Sequence, residues 1–198
     1  MKKISFFLII LSALAISTVA NAAPINFELK SGWVAYHIDG KMFGFAAHPV
    51  DAVSKQINDT VNQADNKVTG TLTIPVKSLK SGDGALDGNA VTTLKGDKYP
   101  DITFELIDYN KTDAEMEQLL NASAPIIEKI KGKLTVAGVS KVYDFDIKVE
   151  KLKDGRFKLS TIREIKFTDF GITPPSMGAV SVLPDQIFIK GEIIFEKK

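Results

Sequence analysis

The stretch VYDFDIKVE, residues 142–150, decides the fold class of this 198-residue chain. From position 143 onward, hydrophobic side chains at odd positions alternate with charged ones at even positions. A period of two with one polar face predicts an antiparallel strand that covers a single core. The same alternation occurs at residues 67–76 and near the C-terminus at residues 187–196. The chain is therefore predicted to be mainly β.

Enough further strands are predicted to close a barrel. They lie at residues 27–38, 41–47, 101–109, 127–137 and 156–168. The apolar residues of segment 50–61 have helix-like spacing, but its position between strands and its Val and Thr content favour a strand. About eight long strands cannot remain a flat open sheet with exposed edges, so we expect one closed or nearly closed antiparallel barrel.

Short turns and two short helices complete the predicted domain. Asp-Gly steps within residues 38–41 and 152–156 favour tight hairpins, and Gly138 has a similar position between two strands. A capping box at residues 112–115 predicts one helix, and residues 83–95 have room for a second. No linker or repeat divides residues 23–198, which we interpret as a single domain.

The N-terminus has the three parts of a secretory signal peptide. Lys2 and Lys3 precede an apolar run at residues 4–19, and Ala20-Asn21-Ala22 gives an A-x-A cleavage pattern. The run is shorter than the roughly 20 residues that a membrane-spanning helix needs. We predict that residues 1–22 are removed and that the exported product does not span a membrane. Removal takes the formal net charge from +1 to −1.

Composition argues against several functional classes. The chain has no cysteine, and 25 basic residues balance 24 acidic ones, so thiol chemistry is excluded and nucleic-acid binding is disfavoured. His37 and His48 have no carboxylate at a ligand-like offset, and the Asp- and Gly-rich segment 81–89 lacks the spacing of a calcium loop. No catalytic motif stands out. We predict no catalytic residue, no metal and no cofactor, and we do not expect an enzyme.

The aromatic and aliphatic residues of the barrel admit two interpretations. They fill the interior as an ordinary core, or they line a cavity for one elongated apolar ligand. Burial of a chain there would contribute about 0.8 kcal/mol per CH₂, less the cost of ordering it. The pattern alone leaves both interpretations open.

Several short motifs resemble elements of the YceI-like (polyisoprenoid-binding) family, in the family's order and spacing. They are YPDITF at 99–104, GKLTVAGVSK at 132–141, DFGI at 169–172, GTLTI at 70–74, and SGD at 81–83 with Asp87. The resemblance extends from about residue 27 to residue 197. Each motif alone is weakly specific, but five in register are fairly specific.

The resemblance implies a lipocalin-like antiparallel barrel of about eight strands with an elongated cavity. It also implies a bacterial periplasmic or secreted location and the binding of an isoprenoid or other long-chain amphiphile, which is carried or sequestered without chemistry. Inward alternation then predicts the ligand-binding residues. These are Tyr36, Phe43, Phe45, Leu72, Ile74, Phe104, Phe145, Ile147, Phe167, Phe170 and Ile189.

Three departures from the family pattern bear on the ligand. Ala137 stands where the family often has His, and Phe167 stands where many members have Arg. Lys30-Ser-Gly32 takes the place of the short polar motif that precedes the first strand in the family. Loss of these polar groups favours a neutral or weakly polar headgroup. The helix at 112–122 looks like an insertion and is a candidate lid or partner surface.

The sequence is also compatible with other functions and partners. The main alternative is an interaction module with a filled barrel, whose stiff loop at residues 171–184 contacts a partner. A weaker one is a lipid-modifying enzyme that uses His37 or His48. A homodimer is a further candidate assembly.

Overall fold

The strands predicted from alternation are present, and they close on themselves. The computed structural model describes residues 25–176 and 181–198, so the predicted signal peptide lies outside the described residues. The strands are β1 (Ile25–Ile38), β2 (Lys41–Met42), β3 (Ala46–Ala47), β4 (Val50–Ser54), β5 (Asn58–Ala64), β6 (Lys67–Pro75), β7 (Asp101–Ile107), β8 (Tyr109–Asn110), β9 (Ile126–Val136), β10 (Val139–Lys151), β11 (Phe157–Lys166), β12 (Ser181–Val182) and β13 (Gln186–Lys197). The helices are α1 (Gly84–Thr93) and α2 (Asp113–Leu120), with short 3-10 turns at Val76–Ser78 and Thr168–Phe170.

Hydrogen bonding between β1 and β13 closes the barrel. The antiparallel order is β13-β11-β10-β9-β7-β6-β5-β1, and β1 then pairs with β13. Strand β5 pairs with the start of β1 and β4 with its end, so β4 and β5 share one position in the wall. The result is an eight-stranded antiparallel barrel, which confirms the predicted fold class. The segment at 50–61 is extended, as predicted, with a break at residues 55–57.

Two of the three predicted turns connect neighbouring strands. Leu152 N–H donates to the Arg156 carbonyl over 2.8 Å, and Gly155 has φ +86°, which an Asp-Gly hairpin requires. Ala137 and Gly138 both have positive φ in the two-residue turn between β9 and β10. The prediction for residues 38–41 was wrong. Both edges of β1 are already paired, with β13 and with β4 or β5, so β2 pairs instead with β3 and β12 in a separate small sheet.

The prediction of one strand at residues 41–47 was also wrong. Only its two ends are extended, and between them the chain turns at Phe43 and Gly44, whose φ angles are +53° and +78°. Phe43 and Phe45 are 60% and 83% exposed. They therefore do not face the barrel interior, because the turn breaks the alternation on which their placement depended.

The buried core forms two clusters, one near each end of the barrel. The larger cluster lies where β6, β9 and β11 run toward α1, and it includes Val76, Leu134 and Phe170. The smaller one contains Val68 and Phe157, with Met116 and Leu120 of α2. Helix α1 contributes no buried residue, so the two ends are covered differently. None of the helices in the described ranges is long and apolar enough to cross a membrane.

Candidate functional site

The barrel contains an elongated, partly open cavity of about 540 Å³, a size typical of small-molecule sites. Leu86 and Ala90 of α1 line it near one end, and Met116 and Leu119 of α2 line it near the other. Most of the remaining wall consists of aliphatic and aromatic side chains from the inward faces of the strands. The side chains of the barrel therefore do not fill its interior completely. Of the two interpretations from the sequence, this favours a barrel lined for a ligand over a completely packed core.

Nine of the eleven residues predicted to bind ligand line this cavity. They are Tyr36, Leu72, Ile74, Phe104, Phe145, Ile147, Phe167, Phe170 and Ile189. Phe43 and Phe45 do not, because they lie on the exposed turn between β2 and β3. The structure fixes where these side chains lie, and their contact with a ligand stays a prediction. Other lining residues, such as Val34, Ile130 and Ile193, follow the same alternation and could have been found from it.

Four aromatic rings form a connected row, and three of them, Phe104, Phe145 and Phe170, line the cavity. Phe104 and Phe145 meet edge to face with centroids 5.2 Å apart, and Tyr143 lies 6.4 Å from Phe145 and 6.2 Å from Phe170. Gly132 makes the Phe104 position available, because a Cβ there would lie 2.0 Å from the Phe104 ring. A glycine on β9 therefore shapes the cavity wall.

At the α2 end, three polar side chains satisfy one another. The Tyr109 hydroxyl donates to Glu128 over 2.9 Å, and the Lys111 ammonium pairs with the same carboxylate at 3.1 Å. The Lys111 Nζ also lies 5.5 Å from the centroid of the Tyr109 ring. Burial, and then the bond to Glu128, raises the pKa of Tyr109. We call Tyr109, Lys111 and Glu128 the closed cluster.

Nearer the α1 end, a similar set of side chains is incompletely paired. The Tyr143 hydroxyl donates to Asp169 over 2.7 Å, and the Arg163 guanidinium carbon lies 5.6 Å from the Tyr143 ring centroid. The Arg163 Nε is buried and has no hydrogen-bond partner within residues 25–176 and 181–198. Burial, and then the bond to Asp169, raises the pKa of Tyr143, whereas the Arg163 charge lowers it. We call Tyr143, Arg163 and Asp169 the open cluster.

Sequence reasoning missed Arg163 although a signal was present. Arg163 is in phase with Phe157, Leu159 and Ile165 along β11, and its partner on β13 is the cavity-lining Ile189. Cross-strand partners share a face of the sheet. The alternation therefore places Arg163 on the same face as apolar residues and Thr161, although Arg163 itself is not among the cavity-lining residues.

Helix α2 is fixed to the barrel by polar and apolar contacts. Gln63, 1% exposed, donates through Nε2 to the Lys111 carbonyl and to Asp113, both at 3.1 Å. The capping box between Thr112 and Glu115 is present as predicted. The helix therefore packs as a plug over this end, and its role as a lid or partner surface stays a prediction.

The two histidines occupy different environments. The His37 Nδ1 lies 2.7 Å from Asp51 and its Nε2 lies 3.0 Å from Asp39, outside the cavity. The bonds to Asp51 and then Asp39 raise the pKa of His37. His48 lines the cavity. Within the part of the chain that the structure describes, no group of three His, Cys, Asp or Glu side chains is arranged to hold a metal.

The predicted contact loop at residues 171–184 is described only in part, because residues 177–180 lie outside the described residues. Pro175, Ser176 and Leu183 from its described part line the cavity. This loop therefore contributes to the wall of the cavity.

An antiparallel eight-stranded barrel around an elongated apolar cavity defines a lipocalin-like barrel. The chain belongs to the YceI-like domain family, which it matches over residues 18–195. No curated protein matches the chain.

Solved structures support the same fold. A polyisoprenoid-binding domain from Saccharophagus degradans, implicated in plant cell wall breakdown, shares 12% identity with a TM-score of 0.67, covering 88% of this chain and 99% of that one. BcnA from Burkholderia cenocepacia shares 16% identity with a TM-score of 0.59, covering 82% and 95%. The YceI protein of Campylobacter jejuni shares 25% identity with a TM-score of 0.53, covering 81% and 85%.

Proposed function

We propose that this protein binds an isoprenoid or other long-chain amphiphilic lipid inside its barrel and carries or sequesters it without chemical change. The observation that carries the proposal is the elongated apolar cavity of about 540 Å³. Family membership and the named binding function of the Saccharophagus domain support it. Export through the predicted signal peptide would deliver the carrier to the periplasm.

The cavity chemistry favours a long chain over a compact polar molecule. Each buried CH₂ contributes about 0.8 kcal/mol, and several are needed to offset the cost of immobilising the ligand. The predicted residues Phe104, Phe145 and Ile147 would contact the tail. A filled-barrel interaction module is less well supported, because the interior retains a cavity large enough for a ligand.

The ligand is proposed to enter at the α1 end. Helix α1 buries none of its residues, yet Leu86 and Ala90 line the cavity. Helix α2 buries Met116 and Leu120 and is held by Gln63. Opening at α1 therefore disrupts fewer contacts than opening at α2.

Native mass spectrometry of the exported protein, purified without detergent and then mixed with geranylgeraniol, tests the proposal. We expect a one-to-one complex with the wild type and a loss of uptake in Ile147→Trp, whose side chain fills the cavity. Ile162→Trp is the matched control, since Ile162 is 60% exposed on the adjacent strand. If Ile147→Trp does not fold, Ile147→Phe replaces it.

A wild-type protein that stays empty with every added prenyl lipid would overturn the binding proposal. The location is tested separately by cell fractionation and by N-terminal sequencing. A mature N-terminus at Ala23 in the periplasmic fraction is the expected result.

A further inference from the structure

The turn between β2 and β3 presents two phenylalanines to solvent. Phe43 is 60% exposed and Phe45 is 83% exposed. Among the residues that the structure describes, the other large hydrophobic side chains that are exposed are aliphatic and lie on four different strands: Val53, Ile127, Val142 and Ile162. Scattered exposed hydrophobic residues are ordinary, whereas neighbouring ones that form a patch indicate an interaction site. We call residues 43–45 the aromatic turn.

The backbone holds the aromatic turn away from the rest of the protein. Met42 pairs with Ala46 across it, and the Phe45 N–H donates to the Met42 carbonyl over 3.3 Å. A Cβ added to Gly44 would meet no atom of a distant residue within 4 Å, so the tip projects into open space. Phe43 has φ +53°, a left-handed conformation that bulky residues rarely adopt. Such strain is concentrated at functional sites.

The aromatic turn is attached to the end of the barrel that α1 covers. Ile38, the last residue of β1, packs in the same buried cluster as Leu94, which follows α1. Gly40 then approaches His48 and Leu183 so closely that a Cβ would clash with both, and the His48 N–H donates to the Gly40 carbonyl over 2.8 Å. His48 and Leu183 line the cavity. The exposed rings are therefore held beside the end at which we propose that the ligand enters.

The charges around the aromatic turn suit a phospholipid surface. Residues 40–50 contain one lysine, Lys41, and no carboxylate, in a chain of which 25% of the residues are charged. The nearest carboxylates along the chain, Asp39 and Asp51, both bond to His37. Lipid phosphates would therefore meet a cation beside the apolar rings, which is the combination that binds at a membrane interface.

The size of the patch favours a bilayer over a second protein. Two phenylalanines offer at most about 150–250 Å² each, whereas each partner in a stable protein interface buries roughly 800 Å². A bilayer needs no matching partner surface, because apolar side chains enter the boundary between headgroups and acyl chains directly. A long-chain ligand also loses hydrophobic stabilisation with every methylene that it exposes to water. Contact between the barrel mouth and a bilayer removes that exposure.

We propose that the aromatic turn docks on a lipid bilayer, with Phe43 and Phe45 inserted at the interface, and holds the α1 end against the membrane while ligand is exchanged. The inference rests on the proposed function for the identity of the cargo. The docking itself needs no bound ligand, so the two can be tested apart.

Flotation of the ligand-free exported protein with vesicles tests the docking. The vesicles consist of phosphatidylethanolamine with a minority of phosphatidylglycerol. We expect the double variant Phe43→Ser/Phe45→Ser to lower the partition coefficient about tenfold, because two apolar side chains no longer leave water. Ile127→Ser is the matched control, since Ile127 is 58% exposed on β9 and lies next to Glu128 at the α2 end. Phe45→Trp should bind at least as well as the wild type, because tryptophan favours the interface.

Release of geranylgeraniol from the loaded protein tests the exchange step. Transfer by contact gives a rate that rises with vesicle concentration, whereas transfer through water gives a rate that does not depend on it. We expect the rising rate in the wild type and in Ile127→Ser. In the double variant the rate should be nearly independent of vesicle concentration, while the affinity for geranylgeraniol is unchanged, because neither phenylalanine lines the cavity.

The outcomes separate this inference from the proposed function. If the wild type does not bind vesicles, or if the double variant binds them as well as Ile127→Ser does, the docking is overturned and lipid carriage stands. If the vesicles are bound through the aromatic turn but no prenyl lipid is taken up, the proposed function fails and the docking stands. A dimer of the wild type that dissociates in the double variant, seen by analytical ultracentrifugation without vesicles, would assign the turn to a second copy and overturn the bilayer.

Discussion

The two tyrosine clusters of the barrel use the same three kinds of side chain but complete their bonding differently. In each, a tyrosine hydroxyl donates to a carboxylate and a cation lies within 5.6 Å of the ring centroid. In the closed cluster, the Lys111 cation also pairs with the carboxylate of Glu128. In the open cluster, the Nε of Arg163 has no partner among the residues described.

This difference follows the way the two ends are covered. The closed cluster adjoins α2, which buries Met116 and Leu120 and is tied to the barrel by Gln63. The open cluster adjoins the early end of the β10–β11 ladder and the end covered by α1, a helix with no fully buried residue. A fully satisfied buried polar network makes the structure more rigid, whereas a buried polar group without a partner costs stability. Gln63 Oε1, at the α2 end, is likewise buried and without a partner among the described residues, so the contrast holds for the two tyrosine clusters and not for the two ends as a whole.

The largest expected effect comes from weakening the α2 plug. Met116→Ala should lower the free energy of unfolding by about 2–4 kcal/mol, because it leaves a cavity at a buried position. Leu86→Ala, the matched change on α1, should cost under about 1 kcal/mol, since Leu86 is only half-buried. Urea unfolding measures both. Equal losses in the two variants would remove the contrast between the two ends.

Breaking the closed cluster should be the next largest effect. Glu128→Gln should lower the free energy of unfolding by about 1–3 kcal/mol, because Tyr109 and Lys111 lose their shared charged partner. In the open cluster, the Asp169 carboxylate accepts a bond from Tyr143 and has no ion pair within the described residues. Asp169→Asn should therefore lower the free energy of unfolding by about 1 kcal/mol. Urea unfolding is again the measurement. A larger loss from Asp169→Asn would reverse the assignment of the two clusters.

The strands, the barrel and most of the predicted lining positions could be predicted from the sequence. Alternation is a local property, so it predicted the long strands, the barrel and nine lining positions, including Phe104 and Phe145. It failed at Phe43 and Phe45 because Gly44 turns the chain within a single predicted strand. Apolar alternation over such a short stretch does not distinguish a strand from a turn.

The features that define the open cluster depend on pairing between distant segments. The early end of the β10–β11 ladder and the contact of Arg163 with Tyr143 are set by strand register, which no local pattern encodes. The phase of Arg163 could be predicted from the alternation along β11, whereas its contact with Tyr143 could not. The missing family arginine at Phe167 suggested a neutral ligand, although a cation is present four residues earlier.

Replacing Lys111 and Arg163, the cations of the two clusters, should change stability in different ways. Lys111→Met should lower the free energy of unfolding by about 1 kcal/mol, because Glu128 loses its ion pair in a half-buried setting. Arg163→Met should leave it unchanged or raise it by up to about 1 kcal/mol, since an unpaired buried donor is removed. Thermal and urea unfolding of the ligand-free protein test this pair. A clear loss of stability in Arg163→Met would show that Arg163 is a structural residue.

The smallest expected effect concerns pH. Burial raises the pKa of both cluster tyrosines above their ordinary value, so neither should titrate between about pH 5 and 8, where histidine does. His37, at the end of β1, is the group to test, because Asp51 and then Asp39 raise its pKa above 6.5. Its contribution is therefore fully present below pH 6.5 and is lost as the pH rises through the folded-state value.

The wild type should lose under about 1 kcal/mol of unfolding free energy over that rise, as expected for a partly exposed pair. His37→Asn should lack this step, and Asp51→Asn should reduce it more than Asp39→Asn, because the Asp51 contact is shorter at 2.7 Å against 3.0 Å. Urea unfolding at intervals between about pH 5.5 and 8.5 measures the step. A step that survives in His37→Asn would come from another group. If Glu128→Gln or Asp169→Asn removed the step instead, a tyrosine cluster and not His37 would be the pH-sensitive region.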